Sequence, residues 1–183
     1  MPADIRQMIV DALLTLLKKK KLEKITIKEI ADQCDISRQT FYYYFRDVIE
    51  VVEWWAQKIC QQLVASSIQA ENPRAAIGVF VRFVVQYHDV IQRLLEYRWR
   101  AQMEKLIVDA VADYLRSMTV HKFPNASISP AEMEVSLHFC SYGLTGVLLA
   151  YCTNGLSIDQ ETLIEQLYRM FSQNAALSKF EGA

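Results

Sequence analysis

Arg38, Gln39, Thr40, Tyr42, Tyr43 and Tyr44 crowd into the stretch DISRQTFYYYF (35–45), and their side chains carry donors suited to reading and gripping a nucleic acid. An arginine can bond the major-groove edge of guanine through two parallel N–H groups, and a glutamine can do the same for adenine. Tyrosine and threonine hydroxyls can bond phosphate oxygens, aided by the positive pole of a helix N-terminus. At about 100° per residue, Arg38, Gln39, Tyr42 and Tyr43 share one side of a helix. Phe41 and Phe45 fall on the other side, where Ile36 can join them. The competing reading packs Tyr42 and Tyr43 at a lobe boundary, but a packing role rarely sorts polar and apolar residues this way.

The flanking residues supply the elements that would hold such a helix. TIKE, Thr26 to Glu29, is a capping box, so a short helix is expected from there to about Gln33, with Ile27, Ile30 and Ala31 inward. Three residues, CDI, lead to Ser37 as the N-cap of the next helix. Asp35 falls where the turn needs a left-handed backbone, a place usually given to glycine but tolerable for aspartate. Before them, Ile5, Met8, Ile9, Ala12, Leu13, Leu16 and Leu17 form the apolar stripe of a bracing helix that ends in KKKK (18–21). Those lysines read first as a solvated helix end and second as phosphate contacts. The set predicts a helix–turn–helix that binds DNA.

The stretch TIKEIADQCDISRQTFYYYFRDVIEVV resembles the signature of the TetR (tetracycline-repressor-like) family, T-x-x-x-I-A-x-x-A-G-V-S followed by x-x-T-x-Y-x-H-F. Thr26, Ile30, Ala31, Ile36, Ser37, Thr40, Tyr42 and Phe45 carry the match, which extends over about residues 5–55. The resemblance implies that Arg38, Gln39, Thr40 and Tyr43 face the groove. It implies phosphate contacts for Tyr42 and Tyr44, the latter replacing a frequent histidine. Two positions depart from the pattern: Asp35 replaces the turn glycine, and Val48 stands where many members carry a phosphate-binding lysine. Losing that lysine weakens backbone affinity and flattens its salt dependence, and Arg46 is the nearby candidate to compensate.

Helical periodicity continues to the C-terminus without sustained alternation, so the chain is expected to be all-α, with about nine helices. Start signals recur at DVIE (47–50), an acidic version of the same capping box, at Asn72–Pro73, at SPAE (129–132) and at SIDQ (157–160), and NG (154–155) closes the helix before the last. The loop rich in breakers is VHKFPNASIS (120–129), and further breaks are expected near 88–98. A DNA-binding domain over 1–47 and a helical domain over 48–183 are expected. GLTGVLLAYCTNGLSIDQETLIEQLYRMF (143–171) resembles the paired last helices of short Firmicutes-type members of the family. RQTFYYYF and EWW resemble its dihydroxyacetone-kinase-operon regulators.

Gly143 and Gly146 cost about 1 kcal/mol each in helix propensity, which close approach of a second helix offsets. With Leu144, Leu148, Tyr151, Leu163, Leu167 and Phe171 they could build a four-helix dimer seam, or else an intramolecular core. Trp55, Tyr87, His88, Trp99, Met103, His138 and Tyr142 are the candidates for an effector pocket, though each is more often core than ligand contact.

Bulk properties limit the alternatives. The 183 residues are about half apolar with a net charge of −1, and only five glycines and four prolines argue for long helices. Residues 1–50 carry nine Lys/Arg against eight Asp/Glu, but 36–46 hold two arginines and no acid, so any basic surface is local. Cys34, Cys60, Cys140 and Cys152 form no CxxC pair and read as reduced thiols of a cytoplasmic protein. His138 and Cys140, two apart, cannot share a helix face as metal ligands, and no HExxH, phosphate loop or nucleophile–base arrangement is evident. No signal peptide is expected, and YGLTGVLLAYC is too short to span a membrane. No cofactor, no metal and no catalysis are therefore expected. The expected partners are double-stranded DNA, a second copy of the chain and a small-molecule effector of unspecified identity.

The resemblance implies a homodimeric, sequence-specific transcription regulator on a pseudo-palindromic operator, a repressor released by its effector. Two alternatives remain open: a coactivator or adaptor of the same fold acting through a partner protein with weak DNA binding, and a small-molecule-binding helical protein.

Overall fold

A computed structural model describes residues 4–95, 99–122, 129–153 and 156–173. Among them it has nine α-helices and no strand: α1 (Ile5–Leu17), α2 (Ile27–Gln33), α3 (Arg38–Tyr44), α4 (Val48–Ile68), α5 (Pro73–Gln86), α6 (His88–Leu94), α7 (Arg100–Lys122), α8 (Pro130–Cys152) and α9 (Gln160–Gln173). A single 3-10 turn, Leu22–Lys24, separates α1 from α2. The expected break at 154–155 and most of the loop at 120–129 lie outside the described residues.

The starts follow the local chemistry. Asn72 accepts from the Ala75 amide at 2.8 Å with Pro73 in the first turn of α5. Ser129 and Glu132 close a reciprocal capping box on α8. Two starts differ from expectation. Asp47 caps α4 by accepting from the Glu50 amide at 2.9 Å, but the Glu50 carboxylate takes the Arg46 amide instead of completing the box. The last helix opens at Asp159, not Ser157, because the aspartate accepts from both the Thr162 amide (2.9 Å) and its hydroxyl (2.6 Å).

The chain divides into two compact units, one comprising Met1–Lys58 with Asp89–Leu106 and the other Ile59–His88 with Ile107–Ala183. This partition falls inside α4, past the end of the helix–turn–helix motif from which a boundary at 47/48 is read. In the first unit Ile9, Val10, Leu13, Leu17, Ile30, Phe41, Val51 and Val52 are buried almost completely. Lys58 secures the start of α1, donating to Gln7 at 2.6 Å and lying 5.0 Å from the Trp54 ring centroid. In the second unit α5 packs along α9, with Arg74 reaching both Glu161 and Glu165 at 3.2 Å. Buried Tyr114 donates to buried Ser67 at 2.9 Å and stacks on Phe80 with centroids 5.1 Å apart.

The helix α8 is longer and more apolar than the sequence expectation allowed. Its 23 residues include an 18-residue window of mean hydropathy 1.4, sufficient by length and composition to cross a membrane. The expectation counted one uninterrupted apolar run, whereas the helix also takes in Met133, Val135, Leu137 and Phe139. Only 33% of the window is buried. Leu137, Leu144 and Leu148 are inside, while Val135, Phe139 and Tyr142 are 69, 71 and 63% exposed.

Candidate nucleic-acid interface

The helix α3 is positioned by the turn that follows α2. The α2 helix ends at Cys34, and Asp35 takes a left-handed backbone with φ 54°. The Ile36 amide then donates back to the Ala31 carbonyl (3.0 Å) and the Asp35 amide to the Asp32 carbonyl (3.3 Å). This is a Schellman closure, which satisfies the last carbonyls of a helix and reverses the chain. Aspartate fills the glycine role because its short side chain is among the few tolerated there. The turn is also fixed from below, since the buried Cys34 thiol donates to the Met8 carbonyl of α1 at 3.3 Å.

Ser37 starts α3, its hydroxyl accepting from the Thr40 amide at 3.0 Å. Phe41 is fully buried and Phe45 nearly so, their rings 6.2 Å apart, and together they bind the helix to its unit. The opposite side is open: Arg38 and Gln39 are exposed, Tyr42 is 57% exposed and Tyr43 82%. Tyr44 is half-buried and meets Tyr43 edge to face at 5.0 Å. The Thr40 hydroxyl pairs with that of Ser37 at 2.9 Å, so one of its bonding directions is already used.

Thr26 is exposed and engaged in the capping box of α2. Its hydroxyl donates to Glu29 at 2.8 Å, and its amide does so at 3.0 Å. The Glu29 carboxylate also pairs with Lys20. These bonds, Lys20 first and Thr26 next, lower the Glu29 pKa to about 2.

Arg46, largely exposed, pairs with Glu50 through Nε at 3.2 Å. The Arg46 amide, ahead of its guanidinium, holds the Glu50 carboxyl below the usual range. Val48 is half-buried at the first position of α4. Of the KKKK run, Lys18 and Lys19 are exposed beyond the end of α1 while Lys20 is committed to Glu29.

The seven residues expected for an effector pocket are divided between the units, with Trp55, Trp99 and Met103 in the first and Tyr87, His88, His138 and Tyr142 in the second. Trp55 and Met103 are buried, whereas His138 and Tyr142 are exposed and stack on each other at 6.3 Å. None of the seven lines the half-open cavity of about 320 Å³ that the second unit forms among α5, α7, α8 and α9. Three residues expected at a dimer seam, Leu144, Leu167 and Phe171, line that cavity. Leu148 and Leu163 are buried and Tyr151 is half-buried. Gly143 and Gly146 are exposed, and an added Cβ at either would meet nothing within 4 Å. The cavity residues Phe80, Met118, Met133 and Leu137 carry no local sequence signal beyond ordinary apolar periodicity.

A capped, exposed recognition helix behind a left-handed turn defines a helix–turn–helix protein. Residues 9–47 match the family of bacterial regulatory proteins, tetR family, and residues 71–173, more than half of the chain, match a transcriptional regulator C-terminal region of that family. The chain belongs to the tetR family of bacterial transcriptional regulators, which is not an enzyme class. It is 19% identical over 182 residues to the HTH-type transcriptional regulator YxbF of Bacillus subtilis (strain 168), covering 94% of this chain and 46% of YxbF. The chain therefore spans about half the length of the curated relative it matches.

Three solved structures share the fold. The dihydroxyacetone kinase operon activator DhaS superposes with a TM-score of 0.72 at 15% identity, covering 97% of each chain. A tetR-family transcriptional regulator from Streptomyces coelicolor gives 0.66 at 20% identity, over 94% of this chain and 83% of the other. The TetR family repressor AlkX from Dietzia sp. strain DQ12-45-1b, implicated in biodegradation of n-alkanes, gives 0.61 at 13%, over 94% and 96%.

Proposed function

We propose that this regulator is a cytoplasmic homodimer that represses transcription from a pseudo-palindromic operator, with residues 1–47 as its DNA-binding domain and 48–183 as its dimerisation and effector domain. The observation that carries the reading is α3: Phe41 is fully buried beneath it while Arg38, Gln39, Tyr42 and Tyr43 are exposed above. Arg38 and Gln39 read base edges, Tyr43 joins them, and Tyr42 and Tyr44 grip phosphates on either side. Thr26, Ser37, Thr40 and Arg46 complete the contact set. A small molecule bound in the second domain lowers operator affinity by favouring one arrangement of the dimer over another.

The dimer reading is supported by the outer side of α8. Val135, Phe139 and Tyr142 are exposed large apolar residues, and a Cβ added at Gly143 or Gly146 beside them would meet nothing within 4 Å among the described residues. Glycines that allow close approach, flanked by exposed aromatic and branched side chains, suit a helix of a second copy. Leu144, Leu148, Leu163, Leu167 and Phe171 would support that seam from inside.

A salt titration of binding to the chain's own upstream DNA, read by footprinting, tests the function. Protection at low salt that weakens as salt rises, and loss of discrimination at one base in Arg38→Ala, are expected. Absence of protection at low salt would overturn it.

A second reading is favoured by Arg46 and Val48. The arginine is already paired with Glu50, and valine offers the phosphates no donor. An adaptor acting through a partner protein would bind DNA weakly in just this way. Activation, the role for which the dihydroxyacetone kinase operon activator DhaS is named, would appear as reporter expression lost on deletion.

A further inference from the structure

The cavity among α5, α7, α8 and α9 has about 320 Å³ of space, within the range of small-molecule sites. Its lining is predominantly aromatic and aliphatic, with Phe80, Met118, Leu137, Leu144 and Phe171 as large contributors and the uncharged polar groups of Thr119, Ser136 and Tyr168 among them. The one phenol whose bonding is fixed turns away from a ligand role, because the Tyr114 hydroxyl is spent on Ser67 and its ring stacks on Phe80. That leaves ring faces as its contribution to the wall. Cys140 also lines the space, and burial pushes its thiol up, so it is mostly protonated and presents a soft, apolar, slowly reacting surface. Among the described lining residues there is no lysine, arginine or histidine, and the one charged side chain is that of Glu71, which is exposed. An anion entering this space would lose hydration without gaining a counter-charge, and would meet an acid on the way.

The helix α8 relates the cavity to the outer surface. Met133, Leu137, Cys140 and Leu144 line the cavity from one side of the helix, whereas Val135, Phe139, Tyr142 and Gly146 are exposed on roughly the opposite side. A ligand that presses on the inner side acts on the same helix that would meet a second copy.

We infer that this cavity is the effector site and that its ligand is an uncharged, predominantly apolar small molecule held without a covalent bond. This rests on the reading of the protein as an effector-controlled regulator. The seven residues singled out from the sequence lie outside this site, and Met118, Leu137 and Cys140 serve as its reporters.

The full chain titrated with N-phenyl-1-naphthylamine, an uncharged apolar fluorophore, tests the inference. Saturable fluorescence enhancement with one site per chain is expected, weakened at least tenfold in Leu137→Trp and Met118→Trp and unchanged in Val120→Ala, whose side chain is exposed. Decan-1-ol should displace the probe, and decanoate should need at least ten times the concentration. Because a filled variant can misfold, the wild-type chain supplies a second readout: the probe should slow N-ethylmaleimide labelling of Cys140, measured by mass spectrometry. Non-saturable enhancement, unaltered Cys140 labelling, or equal displacement by decanoate would each overturn the site or its ligand class. Operator binding without probe reads the regulator function separately. DNA protection that persists unchanged at saturating probe would sink the effector role while leaving the regulator reading standing.

Discussion

The Ile36 amide reaches back over Asp35 to donate to the Ala31 carbonyl at 3.0 Å, so the angle between the two helices of the reading motif depends on one left-handed residue. Asp35→Gly should leave operator affinity intact and stability level or slightly raised, because relief of the left-handed strain offsets the added chain entropy. Asp35→Val should destabilise by about 1–2 kcal/mol and weaken operator binding through misplacement of α3. Urea unfolding and a mobility-shift titration on the same preparations measure both.

Acid should act on the motif through Glu29. Its folded pKa of about 2 lies below the ordinary carboxylate value, so the unfolded chain takes up the proton first. The stabilisation from Lys20 and Thr26 is thus fully present above the ordinary carboxylate range and lost as pH falls from there toward 2. Melting temperatures followed from pH 6 to pH 2.5 should drop less steeply in Glu29→Gln than in the native sequence. Parallel slopes would show that this carboxylate does not contribute.

Val48 offers a gain-of-function test at the edge of the interface. Val48→Lys should tighten binding to every DNA sequence alike and steepen the dependence of log K on log salt by about 1. Tyr42→Phe should weaken binding to all sequences alike without altering the salt slope, while Tyr43→Ala should change base preference. A salt series on operator and scrambled duplexes separates the three.

Gly146 distinguishes a self-contained unit from one that needs a second copy. Among the described residues nothing lies within 4 Å of an added Cβ there, so Gly146→Leu should keep the protomer folded and raise helix propensity by about 1 kcal/mol. At a seam, the same side chain blocks close approach. Sedimentation velocity should therefore show the variant as a monomer at micromolar concentration, with unaltered helical circular dichroism.

Much of the reading motif was legible because its signals are local. Thr26 with Glu29, Ser37 with Thr40, and Phe41 against Tyr43 each resolve within four residues, where helix geometry is nearly fixed. The ninth helix shows how that fails: Ser157 and Asp159 are both plausible caps, and only the contacts to Thr162 decide between them. Leu144 and Leu167 were ambiguous for a different reason. On a helix apolar on most sides, periodicity cannot separate residues facing a neighbouring helix from those facing a second chain. The cavity left no trace in sequence because four helices far apart along the chain each give it a few ordinary apolar residues.

The exposed side of α8 also bears on how the regulator responds to its own abundance. If Val135, Phe139 and Tyr142 are covered only when two copies meet, then at low copy number the half-site readers are solitary. Occupancy of a paired site then rises with the square of protomer concentration, and an amphiphilic free protomer is the form that proteases and chaperones meet first. Gene dosage, and not ligand alone, would then set how sharply the switch turns.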